Sequence, residues 1–340
     1  MKKAAVVILN WNGRDFLARF LPFVVTHSTE DADIVVIDNG STDDSVVFLT
    51  QNFPSVFIVR NEENLGFAGG YNEGLKQIRN DYYILLNSDV EVTEGWLKPI
   101  LSHMDCQPTV VACQPLLRAF HDRESFEYAG GAGGYIDRLG YPFCRGRLFQ
   151  HLEKDEGQYN DLREIFWATG ACMFIRRSAF EEAGGFDAGF FAHMEEIDLC
   201  WRLKNMGYKV IVVPGSVVYH VGGGTLPRKS SRKTYLNMRN NGLMLIKNLP
   251  LHRLPWVLTI RFVLDIAAAF KFLVDGGWGD FWAVFRAHGN ILASFPTTLA
   301  RRRNLQHQKV SSIYNRSIVW DYFVKGIRKF SQLSPDDFSK

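Results

Sequence analysis

The sequence predicts an α/β fold built on a mostly parallel sheet with helices on both faces. Three runs of β-branched, aliphatic and aromatic residues, at 4–9, 34–37 and 82–86, have the composition of strands buried on both sides. Stretches of helical character separate these runs, and such alternation is typical of a parallel sheet. The carboxyl ends of parallel strands meet at one edge of the sheet, where ligands bind in folds of this class.

Local signals place the first elements. After the first strand, Asn12-Gly13 predicts a turn, and a helix is expected over 14–26. The second strand ends at Asp38-Asn39-Gly40. Ser41 and Asp44 follow with the spacing of a capping box, so we expect Ser41 to cap the next helix, which runs through residue 51.

The later elements follow from similar signals. Residues 118–163 are rich in glycine and aromatic side chains without a regular period, which predicts loops and a short hairpin. Pro214 and the glycines at 222–224 are expected to break regular structure. In chain order, the other predicted elements are a strand at 56–59, a helix over 66–79, a strand at 171–176, a helix over 195–206 and a strand at 209–213.

The composition excludes several classes of protein. The chain has 340 residues, enough for about two domains, and its 46% hydrophobic and 22% charged residues exclude disordered and fibrous chains. The five cysteines form no C-x-x-C pair, and their odd number argues against a disulfide framework. The apolar run before Asn10 is too short for the core of a signal peptide, so we expect a cytoplasmic protein.

Charge is divided unevenly along the chain. Residues 1–225 carry 20 Lys and Arg against 30 Asp and Glu, a balance of −10, whereas residues 226–340 carry 19 against 6, a balance of +13. We therefore expect one domain at 1–225 and a basic, helical C-terminal extension at 226–340. A basic region can face nucleic acid or an anionic membrane. The sequence has no zinc-finger, homeodomain or RNP pattern, so we expect no nucleic acid partner.

The basic extension contains two long amphipathic segments. In 254–274 the charges of Arg261, Asp265 and Lys271 fall within one arc of about 120° and interrupt the apolar run, which argues against a transmembrane span. A second segment, at 278–295, mixes Trp, Phe, Ile and Leu, and basic residues follow it. Two hypotheses remain open: the helices lie on a membrane surface, or they form a subdomain that packs against the first domain.

Polar residues at the ends of predicted strands are candidates for a binding site. Asp38 can accept hydrogen bonds from a nucleobase or a ribose, or it can simply form a turn. Asp89 follows another buried strand, where it offers an oxygen ligand to a hard divalent cation that bridges a diphosphate. The stretch 61–74 is rich in small residues, but no P-loop or G-x-G-x-x-G pattern occurs, which argues against an ATPase or a dehydrogenase.

Three carboxylates and one histidine are candidates for chemistry. Glu195, Glu196 and Asp198 lie at a predicted helix start, where they either complement the helix dipole or supply a general base. Neighbouring like charges raise the pKa of such a carboxyl group toward the neutral range. His220 ends a predicted strand beside glycines, and it either ligates a metal, contacts phosphate or has a structural role.

The order of motifs adds to these separate signals. The motifs are VVILNWNG, VIDNGSTDDS, NLGFAGGYNEG, YILLNSDV, ATGACMFIRRSAF, GGFDAGFF, EEIDLCWRLKNMGYKV and YHVGGGT. Over about residues 4–250 the chain resembles the family 2 glycosyltransferases of the GT-A fold, and within them the rhamnosyltransferase-like branch. The resemblance implies inverting transfer of a sugar from a nucleoside diphosphate sugar, usually with Mg²⁺ or Mn²⁺.

The resemblance also implies roles for single residues. Glu196 aligns with the catalytic base, with Glu195 and Asp198 as alternatives. Asp38 would contact the nucleoside, Asp89 would bind the metal, and His220 would complete the metal or diphosphate site. The other candidates for nucleotide-sugar binding are Asn10, Asn12, Asn64, Gly66, Gly70, Asn72, Asn87, Gly170 and Arg239. The basic residues expected to close over the diphosphate are Arg228, Lys229 and Arg239.

The sequence departs from the family pattern at two positions. The usual Glu-Asp pair appears as Glu195-Glu196, so the base would be a glutamate. The first acid of the metal motif is replaced by Asn87, which leaves Asp89 as its sole charged ligand. The Gln-x-x-Arg-Trp pattern of processive members is absent from the sequence, so we expect the addition of a single sugar.

The predicted function is transfer of one hexosyl unit to a hydroxyl group of a glycan acceptor, lipid-linked, in cell-surface polysaccharide synthesis. We expect such an enzyme on the inner face of the plasma membrane, where its basic helices contact anionic lipid. Two alternatives stay open, a non-catalytic scaffold that binds nucleotide sugars and a sugar nucleotidyltransferase. The glycine-rich, basic phosphate signature of the nucleotidyltransferases is missing from residues 6–15.

Overall fold

The computed structural model describes residues 2–222, 230–302 and 310–340. The strands are β1 (Ala4–Asn10), β2 (Ala32–Asn39), β3 (Phe57–Asn61), β4 (Tyr82–Asn87), β5 (Val90–Val92), β6 (Val110–Ala119), β7 (Gly134–Asp137), β8 (Pro142–Cys144), β9 (Arg147–Leu148), β10 (His151–Leu152), β11 (Arg163–Ile165), β12 (Cys172–Arg176), β13 (Lys209–His220) and β14 (Ile313–Tyr314). The helices are α1 (Arg14–Ser28), α2 (Ser45–Asn52), α3 (Gly66–Leu75), α4 (Lys98–Cys106), α5 (Arg177–Ala183), α6 (Glu195–Asn205), α7 (Ser231–Asn248), α8 (Leu254–Val274), α9 (Trp278–Ala300) and α10 (Ile318–Phe323).

The large sheet has the order β11-β13-β6-β12-β4-β1-β2-β3, and β5 pairs with β13. Strands β4, β1, β2 and β3 are parallel to one another, as are β6 and β13, whereas β12 runs antiparallel to both of its neighbours. Alternate residues of β1 face two hydrophobic clusters, with Val7 in one and Val6 and Ile8 in the other. Helices α3, α5 and α6 cover the first face, and α1 and α4 cover the second. The predicted α/β architecture is confirmed.

Parallel pairing brings the candidate residues to one edge of the sheet. Asn10 at the end of β1 lies opposite Asp38 in β2, and its predecessor Leu9 lies opposite Asn87 in β4. This edge is the carboxyl edge where ligands bind in open α/β sheets.

The predicted capping box at Ser41 and Asp44 is wrong. Helix α2 begins at Ser45, and no side-chain hydrogen bond caps it from Asp44. The Ser41 hydroxyl instead accepts hydrogen bonds from the Asn10 amide (3.2 Å) and the Asn12 backbone N–H (3.0 Å). Ser41 therefore ties the first loop of the carboxyl edge to the second, and this contact between distant residues outweighs the local capping pattern.

The predicted break at Pro214 is also wrong. Strand β13 continues through Pro214 to His220, and the register with β6 shifts between Val213 and Val217. A bulge accommodates a proline that cannot donate to the ladder. Strand β6 itself carries no prediction from the sequence, although it is one of the longest strands of the sheet.

The middle region forms more regular structure than the loops and short hairpin expected. Strands β7 to β10 build a small sheet, and β14 from the C-terminal part joins it by pairing with β7. Phe330 and Phe338 pack against Tyr135 at ring-centroid distances of 5.0 and 5.2 Å. The described residues after 230 thus share a hydrophobic core with the first part of the chain. The boundary predicted at 225 falls among residues 223–229, outside the described ranges, and stays a prediction.

Candidate active site

Asp38 and Asn10 form the innermost part of the carboxyl edge. Both side chains are buried, at 1% exposure each. The Asn10 amide donates to Asp38 Oδ1 (3.4 Å), and the Ser41 backbone N–H donates to Asp38 Oδ2 (3.3 Å). The carbonyl oxygen Oδ1 of Asn10 has no hydrogen-bond partner among the described residues. Because buried polar atoms are normally paired, this unpaired oxygen marks Asn10 as a candidate contact for a bound ligand.

The loop before α3 and the first turns of that helix form the adjacent wall. Asn39 donates to Asn64 Oδ1 and to the Gly66 carbonyl oxygen, both at 3.1 Å. Gly66 has φ +72°, and a β-carbon there would lie 2.6 Å from the Phe191 carbonyl oxygen. At Gly70 a β-carbon would lie 2.8 Å from the Asn39 amide nitrogen. Asn64 therefore holds this wall by a hydrogen bond. The close approach of Phe191 and Asn39 requires residues without a side chain at positions 66 and 70.

Three other residues predicted to bind the nucleotide sugar instead hold loops in place by hydrogen bonds. Asn12 Oδ1 accepts a hydrogen bond from the Thr42 backbone N–H (2.7 Å). Asn72 pairs with both backbone groups of Phe186, donating at 2.8 Å and accepting at 3.0 Å. The Arg239 guanidinium donates to the Gly189 carbonyl oxygen. We therefore assign Asn72 and Arg239 to the loop before α6, and their direct contact with a donor stays a prediction. Arg228 and Lys229 lie outside the described residues.

Asp89 and His220 form the second group of the site. Asp89 Oδ1 lies 3.2 Å from His220 Nε2, and each side chain is buried. On the other side of the ring, His220 Nδ1 lies 3.3 Å from Oε1 of Glu127, which is also buried. Burial disfavours the charged ring, but Glu127 and Asp89 outweigh it and raise the pKa of His220 to about 10. Burial likewise disfavours the charged carboxylate of Asp89, but its hydrogen bond to His220 lowers its pKa.

The chemistry of this pair fits a divalent cation. A carboxylate and an imidazole are both common metal ligands, and they meet here at the end of β13. In the absence of metal, His220 donates a hydrogen bond to Asp89 over 3.2 Å, and a bound cation would take the place of that proton. A metal-bound histidine commonly faces a carboxylate with its other nitrogen, as His220 faces Glu127. Among the described residues no group of three or more His, Cys, Asp or Glu side chains could hold a metal, so water and diphosphate oxygens would complete the shell.

Glu127 is a residue of the site that the sequence did not predict. It lies in an irregular, glycine-rich stretch where hydrophobic periodicity gives no information, and it reaches His220 only through the tertiary fold. An acid in an otherwise apolar and aromatic run, FEYAGG, is the local signal that could have marked it.

Glu195 and Glu196 form the third group, at the start of α6. The preceding loop holds Phe191, His193 and Met194 at φ values of 62°, 70° and 74°. Non-glycine residues in this left-handed region are uncommon, and their clustering is typical of functional sites. The Phe191 carbonyl oxygen accepts a hydrogen bond from the Phe67 backbone N–H (2.7 Å), so this strained loop is held against the first turn of α3.

Both acids have an oxygen, Oε2, without a hydrogen-bond partner among the described residues. Burial raises the pKa of Glu196 to about 7, although backbone N–H groups of the first turn oppose the rise. Burial and the adjacent charge of Glu196 hold the pKa of Glu195 well above its ordinary value. A β-carbon at Gly170 would lie 3.9 Å from Cβ of Glu196, so Glu196 lies beside the residues that lead into β12. Such a carboxylate can accept a proton near neutral pH.

Asp198 has a different environment. Its side chain is fully buried, and its oxygens accept hydrogen bonds from Arg202, Lys247 and Asn248, each at 2.8 Å. Burial alone would raise its pKa, but Arg202 and Lys247 lower it. Both oxygens already have partners, so Asp198 fits a role in holding α6 against α7 and not the alternative role of base.

Asn240 is a further residue that the sequence analysis missed. Its buried amide donates to the carbonyl oxygens of Phe190 (3.0 Å), Ala192 (2.9 Å) and His193 (2.8 Å). One side chain in α7 thus fixes the loop that carries Glu195 and Glu196. The Asn240-Asn241 pair inside an otherwise helical pattern is the sequence signal that could have indicated it.

The fold is that of the GT-A class of glycosyltransferases, and the family match together with the relatives identifies a glycosyltransferase that acts on nucleotide sugars. A family model described as Glycosyl transferase family 2 matches residues 5–184, more than half of the chain, and the chain belongs to this family. The chain is 28% identical over 233 residues to N-acetylglucosaminyl-diphospho-decaprenol L-rhamnosyltransferase of Mycobacterium tuberculosis. That alignment spans 63% of this chain and 75% of the relative.

Solved structures support the same fold. GalNAc-T7 with UDP, GalNAc and Mn²⁺ matches with a TM-score of 0.60 at 19% identity, over 87% of this chain but only 58% of that one. A mannosyltransferase of Pyrobaculum calidifontis in complex with GDP-Man and Mn²⁺ matches with a TM-score of 0.52 at 14% identity, over 88% of this chain and 86% of that one. At such identities the likeness establishes the GT-A fold alone.

Proposed function

We propose that the protein transfers one sugar, with inversion, from a nucleoside diphosphate sugar to a hydroxyl group of a lipid-linked glycan. The observation that carries this proposal is the Glu196 carboxylate, which is largely buried, has an unpaired oxygen and has a pKa raised to about 7. Glu196 lies beside Gly170, just before β12, whose first residue pairs with the end of β4, and we propose that it faces the same cleft as the Asp38–Asn10 and Asp89–His220 pairs. Such a transfer needs a base, a site for the nucleoside and a site for the diphosphate. We assign these roles to Glu196, to the Asp38–Asn10 pair and to the Asp89–His220 pair, in that order.

The donor would be held by the ends of β1, β2 and β4. Asp38 accepts hydrogen bonds from the nucleoside, and the free Asn10 oxygen offers a second acceptor. Asp89 and His220 would hold Mg²⁺ or Mn²⁺, which when bound stabilises the negative charge of the leaving diphosphate. Two of the structural neighbours were crystallised with Mn²⁺, which supports this choice of ion.

The acceptor would enter from the side of α6. Glu196 takes the proton of the acceptor hydroxyl group while the oxygen of that hydroxyl group forms a bond to the anomeric carbon. The bond between that carbon and the diphosphate oxygen breaks, and the diphosphate leaves with the electron pair. Attack from the face opposite the diphosphate inverts the configuration at the anomeric carbon.

The relative from Mycobacterium tuberculosis supports a lipid-linked acceptor, because its name specifies a sugar attached to decaprenyl diphosphate. We extend that acceptor class to this chain, with synthesis of a cell-surface polysaccharide as the setting. The absence of Gln-x-x-Arg-Trp from the sequence supports a single addition. No helix among the described residues is long and apolar enough to cross a bilayer. We propose that the protein works as a peripheral enzyme on the cytoplasmic face of the plasma membrane.

A donor panel tests the proposed function. We would measure the thermal shift with Mn²⁺ and, in turn, dTDP-rhamnose, UDP-glucose, UDP-galactose, UDP-GlcNAc and GDP-mannose, since a ligand that binds the native state raises the melting temperature. The donor that binds is then incubated with a lipid-linked acceptor, and the product anomer is read by NMR. We expect one donor to shift the melting temperature and to yield the inverted product.

The panel also separates the alternatives. If the protein binds a donor but neither transfers the sugar nor hydrolyses the donor, it is a non-catalytic scaffold. Formation of a nucleotide sugar from a sugar 1-phosphate and a nucleoside triphosphate would indicate a nucleotidyltransferase.

A further inference from the structure

Helix α8 has two of its three charged residues, Arg261 and Asp265, on the inside, whereas Lys271 is exposed. Arg261 and Asp265 are 5% and 3% exposed. The Arg261 guanidinium stacks 3.7 Å from the Tyr141 ring centroid and donates to Asn241 Oδ1 (2.7 Å). Asp265 accepts a hydrogen bond from the Tyr141 hydroxyl group (3.2 Å) and lies 3.3 Å from His288 Nε2. A polar network thus joins α8 to α7, α9 and the small sheet.

The opposite side of α8 is therefore its apolar side, and it faces outward together with one side of α9. We call this surface the outer apolar face. Its exposed members are Ile260, Phe262, Val263, Phe270, Val274, Trp278, Trp282 and Leu292. Val274 is 86% exposed and Trp282 is 55% exposed, and Phe270 packs against the neighbouring Phe281 at 5.8 Å. Phe281 also contacts Trp278 (5.8 Å) and Trp282 (5.2 Å), so ring contacts join the end of α8 to the first turns of α9. An exposed apolar patch of this kind marks an interaction site.

The charges around this face favour one kind of partner. The charged residues near this face are more often basic than acidic. The basic residues are Lys271 in the last turn of α8, Arg286 in α9, and Arg232 and Lys233 in the first turn of α7. The acids are Asp275, which pairs with Lys271 at 2.7 Å, and Asp280. A second copy of the chain would bring this positive rim against itself, whereas an anionic lipid surface complements it. Exposed Trp and Phe beside Lys and Arg are typical of surfaces that enter the headgroup region of a membrane.

The outer apolar face is connected through α7 to the loop that carries Glu195 and Glu196. At the start of α9, Asp280 accepts a hydrogen bond from the Thr234 hydroxyl group in the first turn of α7 (2.6 Å). In the same turn, the Arg232 guanidinium lies 5.1 Å from the ring centroid of Phe191, in the loop before Glu195. One helical turn therefore separates Trp278 and Trp282 from the loop that positions the base.

We infer that the outer apolar face of α8 and α9 docks on an anionic membrane and brings Glu196 to the depth of the lipid headgroups. The link to the acceptor rests on the proposed function, because a lipid-linked glycan presents its hydroxyl groups at that depth. The docking itself is independent of the donor and of the reaction.

Vesicle flotation tests the inference with full-length protein. The variants Val274→Glu and Trp282→Glu place a carboxylate on the outer apolar face at exposed positions. Trp320→Glu is the matched control, because Trp320 is 57% exposed on α10. The vesicles are phosphatidylcholine with or without phosphatidylglycerol at low salt. We expect wild type and Trp320→Glu to float with the anionic vesicles, and the two face variants to lose about tenfold or more of the bound fraction.

Three results would overturn the inference. These are wild-type protein that stays unbound with anionic vesicles, face variants that bind as wild type does, and loss of binding in Trp320→Glu equal to that in the face variants. A dimer that Trp282→Glu dissociates, with vesicle binding unchanged, would assign the face to a second copy. Donor hydrolysis in detergent separates failure of the membrane-docking inference from failure of the proposed function. We expect the face variants to hydrolyse the donor at the wild-type rate, because their substitutions lie outside the proposed active site.

Discussion

Asp89 Oδ1 and His220 Nε2 approach to 3.2 Å although 131 residues separate them in the chain. Strand β13 makes this possible, because it carries His220 along β6 to the carboxyl edge and pairs there with Val90 of β5. The bulge at Val213–Val217 sets the register of that last part of β13. The geometry of the proposed metal site thus depends on an irregularity in the strand that a simple break at Pro214 would not provide.

Glu127 should orient His220 toward the metal. Replacing it by glutamine, Glu127→Gln, removes the charge that faces His220 Nδ1, and loss of such an outer partner typically weakens metal affinity about 10- to 100-fold. We expect this loss in a Mn²⁺ titration followed by electron paramagnetic resonance without donor. Glu124→Gln is the control, because the Glu124 side chain is 77% exposed. Equal Mn²⁺ affinity in the two variants would show that Glu127 does not orient the ring.

Asp198 should contribute to stability. The variant Asp198→Ala leaves Arg202 and Lys247 without their shared buried partner, and breaking a buried pair in this way costs about 3–5 kcal/mol of unfolding free energy. Urea denaturation measures that change, and Asp336→Ala at an exposed C-terminal position serves as control. An unfolding free energy of Asp198→Ala within about 1 kcal/mol of wild type would contradict the structural role.

Glu196 should destabilise the folded protein at alkaline pH. Its folded pKa, about 7, lies above the ordinary 4.5, so the folded state favours the protonated form. The associated stability is fully present below pH 4.5 and is lost as the pH rises through about 7. Glu196→Gln removes this loss, so we expect its melting temperature to exceed that of wild type at pH 8, by a margin that shrinks toward pH 5. A difference that does not change with pH would contradict the raised pKa.

The same pKa predicts the pH dependence of the reaction. The base must be ionised, so kcat/KM should fall about tenfold per pH unit below about pH 7. Initial rates at subsaturating acceptor, measured across neutral pH, would show this limb. A rate that stays constant down to pH 5 would mean that a carboxyl group with an ordinary pKa, or no base, limits the reaction.

Local patterns predicted β1 to β4, β12 and the first part of β13, and the positions of the candidate residues at the ends of β1, β2 and β4. Continuous apolar runs such as 4–9 are unambiguous, and parallel strands necessarily bring Asn10, Asp38 and Asn87 to one edge. Glu127 and Asn240 were not predicted, because their partners lie far away in the chain: His220 for Glu127 and the 190–193 carbonyl oxygens for Asn240. Hydrophobic periodicity carries no information about such contacts.

The orientation of α8 shows the same limit. The sequence predicted that Arg261 and Asp265 share one arc of the helix, but it did not predict that this arc faces the interior of the protein. Charges usually face solvent, and these two are buried only because Tyr141, Asn241 and His288 meet them from other elements.

The most direct test of the central claim is single-turnover transfer by Glu196→Gln, with donor affinity measured in parallel. We predict that turnover falls about 100-fold or more while the donor Kd stays within about twofold of wild type, because the change removes the base and leaves the donor site intact. Glu195→Gln is the matched control on the neighbouring position and should retain more activity. Wild-type turnover in Glu196→Gln would contradict the assignment of Glu196 as the base.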